Sequence, residues 1–276
     1  MSEKTPAQVF DEANAWWTTE IIDIHPGSIA VRGYPIEELI GNLRFPEMIW
    51  LMLRGEVPDP AHARLLEHAL VAAVDHGPHA PSIAISRMAV TCGLPINGAM
   101  ASAINALDDV HGGAGQQCMA LMQQIDTEFG EAVDEAAVES AIEHFIAQHG
   151  KIIPGFGHRW HGVDPRAVRL LELVREQQAA GTIGGRFARI GVLIEQVMQR
   201  RKQAPIPMNI DGITAVIYCE LGFPAPLGRG LFILSRSVGI LSHAWEQTQQ
   251  GGRIKGPMPP SVPYRYAGPA RRHLDR

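Results

Sequence analysis

The chain has 276 residues, 46% of them hydrophobic and 19% charged, and a net charge of −5. That length buries one large core or two unequal domains, and the composition is that of an ordinary soluble globular protein. A mildly acidic balance argues against nucleic acid as a partner.

No apolar run is long enough to span a membrane, and the first residues, MSEKTPAQVFDEANAWW, lack the basic-then-apolar layout of a signal peptide. Cys92, Cys118 and Cys219 stand far apart and form no CxxC pair or disulfide framework. A reduced, cytoplasmic protein is expected.

Residues 21–33 (IIDIHPGSIAVRG) read as a hairpin around Pro26-Gly27. Beyond it, helical periodicity dominates. Pro35 can open a helix carrying Ile36, Leu39 and Ile40. The apolar run Phe45 to Arg54 stops at Gly55, and Pro60 opens a helix with Leu65, Leu66, Ala69, Leu70 and Ala73 on one stripe. Further helices are predicted over 81–92, 97–109, 114–129, 131–149, 164–180, 185–202, 209–221 and 229–250. Asp164-Pro165 serves as cap and first-turn proline, and Gly93, Gly150 and Gly222 serve as stops. The small residues of 97–109 predict close helix packing. The tail after Gly251, rich in proline and glycine, is expected to be extended. The fold class is all-α.

Arg236 lies in RGLFILSRSVGILSHAW, where helical spacing surrounds it with Phe232, Ile233, Gly239 and Ile240. A guanidinium on an apolar face needs an anion. A structural ion pair or a bound carboxylate would each satisfy it. In residues 151–167, Gly155 and Gly157 permit a tight loop before His158, and Arg166 falls in the first turn of the helix opened by Pro165. The helix dipole disfavours a cation there unless an anion is shared with the terminus; a solvated loop with a surface arginine is the alternative. His158 and His161 have HxxH spacing, but no third metal ligand is suggested nearby, so no metal is expected.

In DDVHGGAG, two glycines after His111 allow a sharp turn that exposes the imidazole, while Asp108 and Asp109 fall at a helix end that disfavours acids. Otherwise His111 is an ordinary loop histidine. Asp211 precedes an apolar helical run, and capping that helix would suffice to explain it. His76, in DHGPHAPS, lies on a turn between helices. Two arginines, three histidines beside glycines and one aspartate suit a multicarboxylate substrate and acid–base work.

These pieces in this order resemble the citrate-synthase superfamily. The matching segments are RGYPIEELI, WLMLRGEVP, DHG, HGGA, PGFGHR with DPRA, MNID, and LFILSRSVG with SHAWEQ. The likeness runs from about Asp23 to the tail. It implies a large helical domain (1–111 and 207–276) and a smaller one (112–206), with the site in the cleft between them. It also implies three catalytic residues. Asp211 would remove a proton from the acetyl-CoA methyl group, His111 would hold the thioester oxygen as the enolate forms, and His158 would exchange a proton with the 2-oxo acid. His76, Arg166 and Arg236 would bind the acid, and Pro154, Gly155, Phe156, Gly157 and Arg159 would border the coenzyme A adenine. Coenzyme A enters as a thioester substrate, with no permanently bound cofactor.

The chain also departs from the common synthase pattern. It is short before DHG, it has DHGP where many synthases have DHE, and its tail reads RIKGP where many carry an arginine that completes a partner subunit's site. Lys255, Arg253 or Arg265 would have to stand in, although lysine cannot reproduce a bidentate fork. The first two features resemble citryl-CoA lyases and the C-terminal part of ATP-citrate lyase, whereas HGGA keeps the synthase histidine. The resemblance therefore implies a citryl-CoA lyase-like enzyme. A short citrate or 2-methylcitrate synthase and a non-catalytic CoA-binding subunit are the alternatives. A homodimer or higher homo-oligomer is expected.

Overall fold

The computed structural model describes residues 4–157 and 162–273. They form twelve α-helices and one three-stranded sheet, so the all-α expectation holds. His158, Arg159 and His161 lie outside the described residues.

The chain divides into two compact units, residues 1–68 with 172–185, and 69–171 with 186–276. The first contains α1 (Pro6–Ala15), strands β1 (Ile22–His25), β2 (Ser28–Val31) and β3 (Tyr34–Pro35), then α2 (Ile36–Leu39) and α3 (Phe45–Arg54). The hairpin falls where it was predicted, with Asp23 opposite Ala30 and His25 opposite Ser28. The third strand was not anticipated, because it is two residues long and too short to alternate. α1 was not anticipated either. Thr5 and Gln8 cap it reciprocally, yet none of its residues is buried, so no apolar stripe marks it. Gly55 ends α3 at φ 83°, the left-handed conformation that favours glycine. Val31, Leu39 and Leu51 form this unit's core.

α4 (Pro60–Ala72) runs from the first unit into the second, with Leu65, Leu66 and Ala69 fully buried. The second unit holds α5 (Pro81–Thr91), α6 (Ile96–Ile104), α7 (Ala114–Phe129), α8 (Glu135–His149), α10 (Arg186–Lys202), α11 (Ile210–Glu220) and α12 (Ala225–Gln250). α9 (Pro165–Ala179) starts in this unit and ends in the first. α5 packs on α6 and α12, and α7 packs on α11 and α12. Ala99 and Ala103 of α6 are fully buried, so small residues do mark a close contact.

Three predicted boundaries move. α6 stops at Ile104 rather than 109, and Asp108 instead bridges to Gly112. Asp108 and Asp109 are thus not at a helix end; both pair with Arg229, which explains two adjacent acids there. The segment predicted from 131 opens with a single 3-10 turn, and Asp134 then caps a fresh helix by accepting from the Ala137 N–H. α12 begins at Ala225, a turn before the predicted 229, because Pro226 suits a helix's first turn. The tail from Gly251 to His273 has no helix or strand. It is fastened at Thr91, whose carbonyl and hydroxyl accept from the Ile254 and Lys255 N–H groups (2.9 and 3.0 Å).

Candidate active site

Within the second unit, His76, His111, Arg166, Asp211 and Arg236 line one cavity of about 750 Å3, together with Phe232. These five residues come from positions scattered over 161 residues of sequence. Each reaches the cavity from the end of an element or from a turn, except Arg236, which projects from the middle of α12.

Asp211 sits in the first turn of α11. The simple reading, that it caps the helix, is corrected by the structure. Asn209 is the cap, its side-chain oxygen accepting from the Asp211 and Gly212 N–H groups (2.9 and 3.2 Å). The Asp211 carboxyl is therefore spared for the cavity. Protein atoms crowd it, so burial raises its pKa above the usual carboxylate range, against the pull of Arg236 and Arg166; Asp164 adds to the rise. A base of raised pKa is stronger, which suits abstraction of a weakly acidic carbon proton.

His111 follows the Asp108–Gly112 bridge and is half-buried. The Ser82 N–H donates to its Nε2 (3.1 Å), and the Ser82 hydroxyl lies 3.0 Å from the same nitrogen. A nitrogen that accepts from an amide carries no proton. His111 is thus the Nδ1–H tautomer, with Nδ1 as the donor. Burial, then Arg236, lowers its pKa and keeps the ring neutral.

Arg236 is 5% exposed. Its Nε donates to the Ala73 carbonyl (3.1 Å), and its guanidinium carbon lies 4.8 Å from the Phe232 ring centroid. Among the described residues no carboxylate lies within 4.0 Å of it, although Asp75 and Asp211 oppose the effect of burial from further away. The structural ion pair that the sequence left open is thus not formed among the described residues. Arg166 differs, because its partner is Asp164, at 2.8 Å. The shared anion expected at this helix terminus is a buried side chain of the protein itself, so Arg166 is not the solvated arginine of the alternative.

The turn carrying His76 is fixed by Asp75, whose carboxylate accepts from the Gly77 N–H (2.9 Å) and meets His243 of α12. Gly239 permits this approach, since a Cβ there would lie 2.2 Å from the Val74 carbonyl oxygen. Arg87 of α5 donates to Gln247, Glu246 and Gln250 of α12, tying the helix that bears Ser82 to the helix that bears Arg236.

Pro154, Gly155 and Phe156 are buried and Gly157 half-buried, and none of them lines the cavity. Their loop docks on the start of α11. Asn209 donates to the Gly155 and Gly157 carbonyls (3.0 and 2.6 Å), and Phe156 bridges to Met208. A Cβ on Gly212 would lie 2.3 Å from the Gly155 oxygen, so glycine is required at this crossing. Arg253, Lys255 and Arg265 are exposed and also absent from the cavity wall. Among the described residues no group of three potential metal ligands occurs.

Sequence reasoning missed Asp75, Ser82, Asp164 as the partner of Arg166, and Asn209, whereas Phe232 was named beside Arg236 from helical spacing and lies there. Asp164 and Asn209 were visible as polar residues at helix starts. Ser82 acts through its backbone and leaves no signal in a sequence.

The family model for the citrate synthase C-terminal domain matches residues 52–258. The citrate synthase of Acidithiobacillus ferridurans is 30% identical over 212 residues, 75% of this chain and 52% of that protein. Citrate synthase 2 of Bacillus subtilis is 33% identical over 206 residues, 74% of this chain and 52% of that protein. The chain spans about half the length of the curated relatives it matches. It belongs to the citrate synthase family. Among solved structures, citryl-CoA lyase from Hydrogenobacter thermophilus aligns with a TM-score of 0.83 at 29% identity, over 94% of this chain and 97% of that one.

Proposed function

We propose that the protein cleaves citryl-CoA to acetyl-CoA and oxaloacetate through an acetyl-CoA enolate. One observation carries this reading: a crowded carboxylate, a neutral Nδ1–H imidazole and two arginines line the same cavity. His111 would donate from Nδ1 to the thioester oxygen, stabilising negative charge as it develops without introducing a second buried cation. Asp211 would return the proton to the enolate carbon. Arg236 would hold a carboxylate of the acid, with Arg166 and His76 beside it. His158 is proposed to take the hydroxyl proton. Residues 154–157 and Arg159 are proposed to border coenzyme A, and 112–206 is the proposed smaller, closing domain.

The cleavage direction is favoured by the likeness to a citryl-CoA lyase, whose TM-score of 0.83 at 29% identity exceeds the 0.67 and 0.61 of two solved citrate synthases at 24% and 19% identity. The second reading is a short citrate or 2-methylcitrate synthase, for which the curated relatives speak. Mixing acetyl-CoA with oxaloacetate and following free thiol decides between them. Thiol release that depends on oxaloacetate supports the synthase. Oxaloacetate appearing from supplied citryl-CoA, without thiol release, supports the lyase. Silence in both assays refutes the reaction, and silence with other acyl-CoAs as well leaves a non-catalytic CoA-binding subunit.

A homodimer is proposed as the working form. Leu234, Val238, Leu241 and Trp245 are all exposed at helical spacing along α12, and a second copy would cover them. Lys255 is fastened at Thr91, whereas the cavity meets α5 at Pro81, about 15 Å away along that helix. Its charge would thus serve the cavity of the other copy. An active monomer by light scattering refutes this. No described helix is long and apolar enough to cross a membrane.

A further inference from the structure

We propose that Asp164 is a positioning residue that fixes Arg166 and Asp211 relative to one another across the cavity, a role that rests on the proposed function. It is 1% exposed. One carboxylate oxygen accepts from the Arg166 backbone N–H and from its Nε, both at 3.0 Å. The other accepts from Arg166 Nη2 (2.8 Å) and from the Ile210 N–H (3.2 Å). Ile210 is the first residue of α11, immediately before Asp211. A single carboxylate therefore caps α9, clamps the Arg166 side chain and anchors the helix that presents the base.

Capping alone does not require this residue, because serine or asparagine caps as well. Four donors on two oxygens do require a carboxylate. An amide in its place offers one acceptor oxygen and turns its NH2 toward two donors. The charge matters too. Paired with Asp164, Arg166 is locally neutralised, so it acidifies Asp211 less than a lone guanidinium would. The described groups interacting with Asp211 are Arg236 on α12, Arg166 and Asp164 at the start of α9, Cys118 on α7 and Tyr218 on α11, with His111 on the same cavity wall. Only Asp164 among them is a second carboxylate.

The test compares the wild type with Asp164→Asn and Asp164→Ser, both of which retain a helix cap. Oxaloacetate and free coenzyme A are titrated calorimetrically, turnover is followed over pH, and circular dichroism checks the fold. Expected is a loss of oxaloacetate affinity of about 10- to 100-fold, the scale of a small misplacement of a binding group. Coenzyme A affinity should stay within about twofold, and, because cleavage needs Asp211 protonated, the alkaline limb of kcat should move to lower pH as Asp211 becomes the stronger acid. Equal losses for both ligands, an unmoved alkaline limb, or failure of both variants to fold would reduce Asp164 to a structural part and overturn the proposal. A wild type that binds oxaloacetate tightly but turns over none of these substrates, beside a variant that binds it weakly, fails the proposed reaction and keeps the role of Asp164. A wild type that turns over beside an unchanged variant overturns the role of Asp164 alone. Absence of oxaloacetate binding in every protein overturns both.

Discussion

Replacing Arg236 with methionine separates a structural cation from one that waits for a ligand. In the free protein the guanidinium is 5% exposed, with one hydrogen bond, one aromatic face and no described carboxylate in contact. Had Arg236 been half of a buried ion pair, removing it would cost about 3–5 kcal/mol, because the partner would be left charged and alone. Instead the variant loses a hydrogen bond worth about 1 kcal/mol and a cation–π contact of about 1–2 kcal/mol. It also gains relief from burying a charge, which is worth several kcal/mol per ion. Asp75 and Asp211 each lose a distant counter-charge, which takes part of that gain back. The net change in unfolding free energy should stay within about 1 kcal/mol of zero in urea melts. Binding should behave differently. Without the guanidinium, a carboxylate enters the cavity with its charge unmatched, a loss of about 2–4 kcal/mol. That corresponds to roughly 30- to 1,000-fold in the dissociation constant for oxaloacetate, read by calorimetry. A destabilisation above about 3 kcal/mol, or an unchanged affinity, would refute the reasoning.

Asp211→Asn should retain the helical fold and coenzyme A binding yet lose most turnover; near-normal turnover would refute its role as base. The pH dependence of stability has a definite sign. The folded pKa of Asp211 lies above its unfolded value, so its contribution to stability is present at low pH and is lost as pH rises through the folded pKa. Asparagine mimics the neutral acid, so the variant should melt higher than the wild type near pH 7, with the difference vanishing near pH 3. Gly212→Ala places a Cβ 2.3 Å from the Gly155 oxygen and should push the 154–157 loop off α11. We expect about 1–3 kcal/mol of destabilisation and impaired turnover, and a variant as stable and active as the wild type would contradict the close approach. Ser82→Ala retains the N–H that sets the His111 tautomer, so turnover should fall by less than about fivefold, whereas a loss near that of an oxyanion donor, about a hundredfold, would assign the role to the hydroxyl.

Much of this protein was written locally. The α3 run from Phe45 to Arg54 with its Gly55 stop, the Pro26-Gly27 hairpin, and α7 from Ala114 to Phe129 follow from periodicity and turn chemistry, which act over neighbouring residues. The all-α class and the family segments followed as well, because ordered motifs survive in a string of letters. His76, His111, Arg166, Asp211 and Arg236 were legible as candidates, since glycines or an apolar helix face made each chemically odd where it stood.

Tertiary structure decided what each of them touches. Arg236 had two possible anions in the sequence, and only packing shows that no described carboxylate reaches it. Arg166 was expected to share an anion, and that anion proved to be Asp164, two residues away. Asp211 could have been a cap until Asn209 took that place. The tautomer of His111 depends on a backbone N–H from Ser82, 29 positions distant, which any residue but proline could supply. Hydrogen bonds of this kind carry no residue-type signature. Burial likewise depends on which elements pack together, so neither can be read before the chain is folded.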